Sequence, residues 1–202
     1  MLTLCLQAGG KSSRMGQDKA LLDFGGKPLI QRVLERLDSL ASETIVTTNH
    51  PEGYRFLGFP LIPDVIPNRG ALVGLYTALL AAHQPLVAVV ACDLPFASPE
   101  ILRACRDQLL ANPNLDAVIP ETPHGLEPLH AVYRRETCLP TVKAALETGK
   151  WKMIAWHLAA NIGRLSPEEI AALDPEGLAF WNVNTPDEFD AAIQRFKNPP
   201  NR

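Results

Sequence analysis

No run of apolar residues in this 202-residue chain approaches the length needed to span a bilayer, so a membrane protein is not expected. Charge of one sign is also missing. Nineteen Lys and Arg face 22 Asp and Glu, a formal net charge of −3. That balance gives no electrostatic footprint for general nucleic-acid binding and leaves room only for a local cationic pocket. The four cysteines, Cys5, Cys92, Cys105 and Cys138, are far apart and form no C-x-x-C pair. A disulfide framework and a zinc cage are therefore excluded as expectations, and reduced thiols in the cytoplasm are expected. Neither G-x-G-x-x-G nor G-x-x-x-x-G-K-[ST] occurs, which argues against a dinucleotide-dependent redox enzyme and against a P-loop NTPase. No Ser-His-Asp or Cys-His arrangement is recognisable. The opening MLTLCLQAGGKSSR has no charged segment before its short apolar run, which reads as a buried strand rather than a signal peptide.

What is present is a globular composition, 47% hydrophobic and 20% charged, of a size suited to one α/β domain. Apolar runs alternate with amphipathic stretches. Leu2 to Ala8, Thr44 to Thr48, Leu61-Ile62, Leu86 to Ala91, Asp116 to Ile119, His130 to Arg134 and Leu178 to Asn182 read as strands. Pro28 to Leu40, Ala71 to Ala82, Ser98 to Leu110, Leu139 to Leu146, Met153 to Leu158 and Thr185 to Phe196 read as helices. Ser98-Pro99-Glu100 and Thr185-Pro186-Asp187-Glu188 carry N-cap signals. Strands apolar on both faces, separated by helices, predict a Rossmann-like, mostly parallel sheet with helices on both faces. In such sheets ligands bind beyond the carboxyl ends of the strands. The polar residues Gly9-Gly10, Asn49, Asp64, Asp93 and Asn182 fall at those ends.

The densest chemical signal is Gln7-Ala-Gly-Gly-Lys-Ser-Ser-Arg-Met-Gly-Gln-Asp-Lys19, between a strand and a helix. Gly9 and Gly10 let backbone N–H groups approach anionic oxygens, and Gly16 permits a sharp turn. Arg14 offers a bidentate fork to phosphate and Lys19 a mobile point charge. Taken together the string predicts a phosphate cradle rather than a solvated glycine turn. Asp93 ends a wholly apolar strand, where a carboxylate suits Mg²⁺, a hard cation held by one or two carboxylates plus substrate phosphates. Asn49 and Asp64 are each ordinary turn residues taken alone. Their shared position at the ligand edge of the sheet makes both candidates for the site. Asn182-Val183-Asn184 alternates like a strand edge, which faces both amides toward the metal or a second substrate, although Asn184 to Glu188 also reads as a helix cap. Gly70 and Gly74 open an apolar helix, for approach to a nucleotide or for close packing. His124 and His130 flank Gly125-Leu-Glu-Pro in a less regular stretch, which reads as a surface loop with contact to a second substrate as the alternative, while His50, His83, His157 and the three tryptophans read as structural.

The phosphate string resembles the A-G-G-x-S-x-R-M-G-x-D-K-A-L-L signature of the molybdenum cofactor guanylyltransferases. The similarity continues in Gly25-Gly26-Lys27-Pro28-Leu29, in Asp93-Leu94-Pro95 and in Asn182-Val183-Asn184-Thr185-Pro186-Asp187-Glu188, in family order over nearly the whole chain. Three departures stand out. Gln7 occupies a position that is usually aliphatic, the loop between Gly16 and Asp18 is one residue shorter than in some members, and Ala71 replaces the usual proline of a G-P-L-A-G segment.

The resemblance implies a nucleotide-diphospho-sugar transferase type of fold. It implies a single domain over residues 1–202, with a nucleotide-binding half at about 1–110 and an acceptor-binding half at about 111–197. It further implies transfer of GMP from GTP to Mo-molybdopterin with release of pyrophosphate, using Mg²⁺ on Asp93. Arg14, Lys19 and Asp93 would carry catalysis. Gln7 (through its backbone), Ala8, Gly9, Gly10, Lys19, Asn49, Asp64, Gly74 and Asp93 would contact GTP, and Asn182 and Asn184 would stand toward the acceptor or behind the site. A monomer is expected, with molybdoenzyme apoproteins and cofactor-insertion proteins as partners. The alternatives are a CTP-dependent cytidylyltransferase, a sugar-phosphate nucleotidyltransferase, and a non-catalytic carrier of nucleotide or cofactor.

Overall fold

The computed structural model describes residues 1–8, 18–67 and 69–199. In chain order these form β1 (Leu2–Gln7), α1 (Leu29–Leu37), β2 (Glu43–Thr47), β3 (Leu61–Ile62), α2 (Ala71–Ala81), β4 (Leu86–Ala91) and α3 (Pro99–Ala111). They continue with β5 (Ala117–Thr122), β6 (Gly125–Leu126), β7 (His130–Arg134), α4 (Arg135–Glu147), β8 (Ile162–Leu165), α5 (Pro167–Leu173) and α6 (Pro186–Lys197). The strand order is β3-β2-β1-β4-β7-β5-β6, with β8 also pairing β5. Pairs β1–β2, β2–β3, β1–β4 and β5–β8 are parallel, while β7 runs antiparallel to both β4 and β5. The expected α/β sheet is present, with β1 inside its parallel half.

Alternation along the strands explains the two-sided burial. Leu2, Leu4 and Leu6 of β1 enter one core with Ile30 and Val33 of α1, Ile101 and Leu102 of α3, and Phe189 of α6. Cys5 of β1 enters the other with Val87 and Val89 of β4, Leu72 and Leu75 of α2, and Val142 of α4. A strand buried on both faces has no polar side to show, hence the continuous apolar run Leu86–Ala91. Helix starts follow their caps. The Ser98 hydroxyl accepts the Ile101 N–H with Pro99 in the first turn, and Thr185 with Glu188 forms a reciprocal capping box.

Three local expectations are corrected. Leu178 to Asn182 is not a strand. The Trp181 N–H returns to the Leu178 carbonyl in a turn, and Ala179 donates to the Asp174 carboxylate. Its apolar residues serve packing instead: Trp181 lies 5.7 Å from Phe96, and Ala179 and Val183 are buried. Met153 to Leu158 is a chain of turns running into a short 3₁₀ segment, His157–Ala159. Only Trp156 of that stretch is buried while Leu158 is fully exposed, which is not the pattern of an amphipathic helix. β8 and α5 are additional elements, although α5 carries a legible start in Ser166-Pro167-Glu168-Glu169, which forms a second capping box.

His130 is the third correction: it is fully buried at the head of β7, not a surface-loop residue. Its Nε2 accepts the Ser98 N–H at 2.9 Å, and its ring meets Phe180 edge-on at 5.2 Å. Burial pushes its pKa down from 6.5 to about 4. Between those values the unfolded chain binds a proton that the folded protein refuses. Stability is therefore fully present above pH 6.5 and is lost as pH falls toward 4, by as much as about 3 kcal/mol. Urea titrations across that window are expected to show this loss in the parent. It should be largely absent in His130→Gln, which offers the Ser98 amide an uncharged acceptor. An equal slope in both proteins would refute it.

Candidate active site

The carboxyl ends of β3, β2, β1 and β4 stand side by side and border a cavity of about 230 Å³, lined by Gln7, Lys19, Thr47, Asp64, Gly74 and Asp93 among others. Each side chain is held by a different device.

Lys19 opens a 3₁₀ turn whose cap is Asp18. The Asp18 carboxylate accepts the Ala20 N–H at 3.1 Å and the Tyr54 hydroxyl. Burial pushes the Tyr54 phenol far up, so it stays a proton donor to that carboxylate. Thus anchored, Lys19 sends its Nζ to Asp93 Oδ2 at 3.2 Å, to the Val183 carbonyl at 3.1 Å and to Asn184 Oδ1 at 2.9 Å. Asp93 sits where the apolar β4 ends, so a rigid strand places its carboxylate. Its own carbonyl accepts the Val183 N–H at 3.0 Å, tying the segment before α6 against the site. Glu188 accepts the Asn184 and Thr185 N–H groups, which turns Asn184 toward Lys19. Asn184 thus stands at the helix start, as its cap reading expects, with its side chain on Lys19.

At the opposite end of the cavity Asn49 and Asp64 are reciprocally bonded. Asn49 Nδ2 donates to Asp64 Oδ2 at 2.9 Å, and the Asp64 N–H donates to Asn49 Oδ1 at 3.2 Å. Asn49 spends its carboxamide on Asp64, and Asp64 is the member that lines the cavity. Burial raises the Asp64 pKa from its ordinary value, against the hydrogen bonds that lower it. Gly70, with φ +91°, precedes α2 at the cavity wall in a backbone region that favours glycine. Gly74 leaves room for the Gln7 carboxamide, since a Cβ there would lie 2.7 Å from Gln7 Oε1 and push that side chain aside.

The structure therefore brings together Gln7, Lys19, Asp64, Gly74, Asp93 and Asn184. Ala8 is buried and gives its N–H to Thr47 rather than lining the cavity. Asn182 is exposed and has no hydrogen-bond partner among the described residues. Gly9, Gly10, Arg14 and Gly16 lie outside the described residues. The Gly25-Gly26-Lys27-Pro28-Leu29 segment is a turn into α1 and does not line the cavity, and Gly25 packs against Phe196. Sequence reasoning missed the Asp18–Tyr54 anchor, although Asp18 stands inside the phosphate string.

A lysine and an aspartate paired at the carboxyl edge of such a sheet, with polar groups at the far end of the same cavity, suit a phosphate-bearing ligand such as a nucleotide, and the family match makes the class a nucleotidyltransferase. The profile of the MobA-like NTP transferase domain matches residues 4–161. A probable molybdenum cofactor guanylyltransferase from Pelotomaculum thermopropionicum is 36% identical over 181 residues, covering 90% of this chain and 86% of that protein. The molybdenum cofactor guanylyltransferase of Desulfosudis oleivorans is 31% identical, with 97% and 96% covered. The crystal structure of molybdopterin-guanine dinucleotide biosynthesis protein A from Archaeoglobus fulgidus superposes with a TM-score of 0.83 at 26% identity, covering 97% of this chain and 99% of that one. The chain belongs to the MobA-like NTP transferase family, among the molybdenum cofactor guanylyltransferases.

Proposed function

We propose that this protein transfers GMP from GTP to the terminal phosphate of Mo-molybdopterin, giving the guanine dinucleotide form of the cofactor and pyrophosphate. The observation that carries the reading is the Lys19–Asp93–Asn184 cluster at one end of a cavity whose other end presents Asp64. Guanine offers N1–H and N2–H₂ as adjacent donors, and a carboxylate held by Asn49 accepts both. A pterin phosphate oxygen forms a bond to the α-phosphorus of GTP while the bond to the β-phosphate bridging oxygen breaks. The attacking phosphate is already ionised and needs no general base.

The work left to the chain is positioning and charge stabilisation. Lys19 neutralises the triphosphate and the departing pyrophosphate, with Arg14 assigned the same role from the sequence. Asn184 and the Val183 carbonyl hold the ammonium in place until phosphate oxygens accept its hydrogen bonds. Asp93 suits Mg²⁺. Among the described residues no group of three or more His, Cys, Asp or Glu gathers into a cage, and one carboxylate beside substrate phosphates is the donor set Mg²⁺ prefers. Bound there, the cation would screen phosphate charge. Residues 1–110 are assigned to the nucleotide and 111–197 to the acceptor. The protein is assigned as a cytoplasmic monomer that hands its product to cofactor-insertion proteins or molybdoenzyme apoproteins; its four cysteines are unpaired, and no helix among the described residues is long and apolar enough to cross a membrane.

Thermal shifts test the base. A ligand bound only by the folded state stabilises by RT ln(1 + [L]/Kd), so GTP with Mg²⁺ is expected to raise Tm more than CTP or ATP at equal concentration. In Asp64→Asn that advantage should vanish. The same variant without nucleotide should melt no lower than the parent near neutral pH. A carboxyl whose pKa is raised on folding favours the folded state as pH falls through the raised value, so its charged form is a cost above it. Equal shifts for all three nucleotides in the parent would leave phosphate recognition alone and refute the guanine assignment.

A further inference from the structure

We propose that the Gln7 side chain reads the ribose of the nucleotide, making this enzyme discriminate ribonucleotides from deoxyribonucleotides. The inference rests on the nucleotide reading of the cavity. Three observations carry it.

The first is an incomplete hydrogen bond. Gln7 Nε2 is buried and has no partner among the described residues, although the side chain lines the cavity. A buried amide donor without an acceptor costs roughly 1–3 kcal/mol, a cost relieved when the carboxamide turns about its terminal torsion and presents the donor to a ligand in the cavity.

The second is the space made for it. The carboxamide rests against the first turns of α2 at Gly74. A Cβ on Gly74 would stand 2.7 Å from Oε1, 2.8 Å from Cδ and 3.0 Å from Nε2. The absent side chain at Gly74 therefore leaves the space in which the Gln7 amide lies.

The third is the order of the strands. Along the ligand edge Asp64 follows β3, Asn49 follows β2, Gln7 closes β1 and Asp93 follows β4, in spatial order β3-β2-β1-β4. Gln7 is in register with Thr47 on one side and Ala91 on the other. Adjacent strands are about 4.8 Å apart, so Gln7 stands between the base end and the phosphate end. A nucleotide with its base at Asp64 and its phosphates at Lys19 and Asp93 must carry its ribose across β1, since the sugar is the covalent link between them. A carboxamide has both a donor and an acceptor to offer, which suits the vicinal hydroxyls of a ribose.

The test is calorimetric binding of GTP, 2′-deoxyGTP and 3′-deoxyGTP in Mg²⁺ to the parent, to Gln7→Met and to Gly74→Ala. Methionine keeps the length and unbranched shape and removes the amide. Alanine at 74 keeps the amide but displaces it, and suits a helix better than glycine. The parent is expected to bind at least one deoxynucleotide roughly tenfold more weakly than GTP, the worth of one well-made neutral hydrogen bond. Gln7→Met should bring the three nucleotides within about twofold of one another, and Gly74→Ala should shrink the preference too. In the Gln7→Met background Gly74→Ala should add nothing to the loss of discrimination. Absence of a ribose preference in the parent, or a full preference retained in Gln7→Met, overturns the proposal while leaving the nucleotide site intact. Failure of the folded parent to bind GTP at all would instead overturn the nucleotide reading on which it rests.

Discussion

Replacing Asp93 with asparagine is expected to reduce guanylyl transfer by roughly 10²–10³-fold, while GTP binding falls much less. The magnitude is that of removing one preorganised electrostatic group from a transition state. Asparagine keeps the shape and one acceptor oxygen. Lys19 therefore retains a partner there and keeps the Val183 carbonyl and Asn184. Position 93 stays fixed by β4 and by the backbone bond from Val183, so the fold should lose at most about 1 kcal/mol. What disappears is the charge that suits a divalent cation beside phosphates. Mg²⁺-dependent pyrophosphate release, measured on protein whose melting curve matches the parent, checks this. Parental release from folded Asp93→Asn would show that the carboxylate has no part in the reaction.

Lys19→Ala is expected to act on binding as well as turnover. Its ammonium meets three acceptors from two distant segments, which marks the place where an anion's oxygens would be received. Losing a charged hydrogen bond costs about 1.5–3 kcal/mol, so GTP affinity should drop roughly ten- to a hundredfold. Stability should change little, because the pair with Asp93 is partly exposed and salt-screened. Lys19→Arg should recover only part of the loss, since a planar guanidinium cannot meet the same acceptors as a compact ammonium. GTP titration by calorimetry decides the matter, and parental affinity in the alanine variant would remove Lys19 from the phosphate site.

These residues were legible in the sequence because each is announced locally. Asp93 ends an apolar run, Lys19 closes a glycine-bearing string, and Thr185 to Glu188 spells a cap. The Rossmann-like order was legible for the same reason, since strands buried on both faces leave no polar period. What could not be read was pairing across the chain. Nothing near Asp18 points to Tyr54, 36 residues on, and nothing near Gln7 says that its amide will rest on Gly74. Asn49 and Asp64 were equal candidates until their reciprocal bonds separated the residue that faces the cavity from the one that holds it. Leu178 to Asn182 misled because a loop pinned by aromatic packing and a strand bury the same residue types. His130 misled because burial of a histidine is decided by its neighbours on β4 and at the start of α3, not by its own segment.

The most direct measurement is the rate of pyrophosphate release, with parallel detection of the dinucleotide product, when the purified protein is given Mg²⁺, molybdopterin bearing molybdenum, and GTP, CTP or ATP in turn. Release is expected with GTP, dependent on the pterin, with one guanine dinucleotide formed per pyrophosphate, and at least tenfold slower with the other two nucleotides. Equal rates with CTP, or tight GTP binding without any pyrophosphate, would contradict guanylyl transfer as the activity of this site.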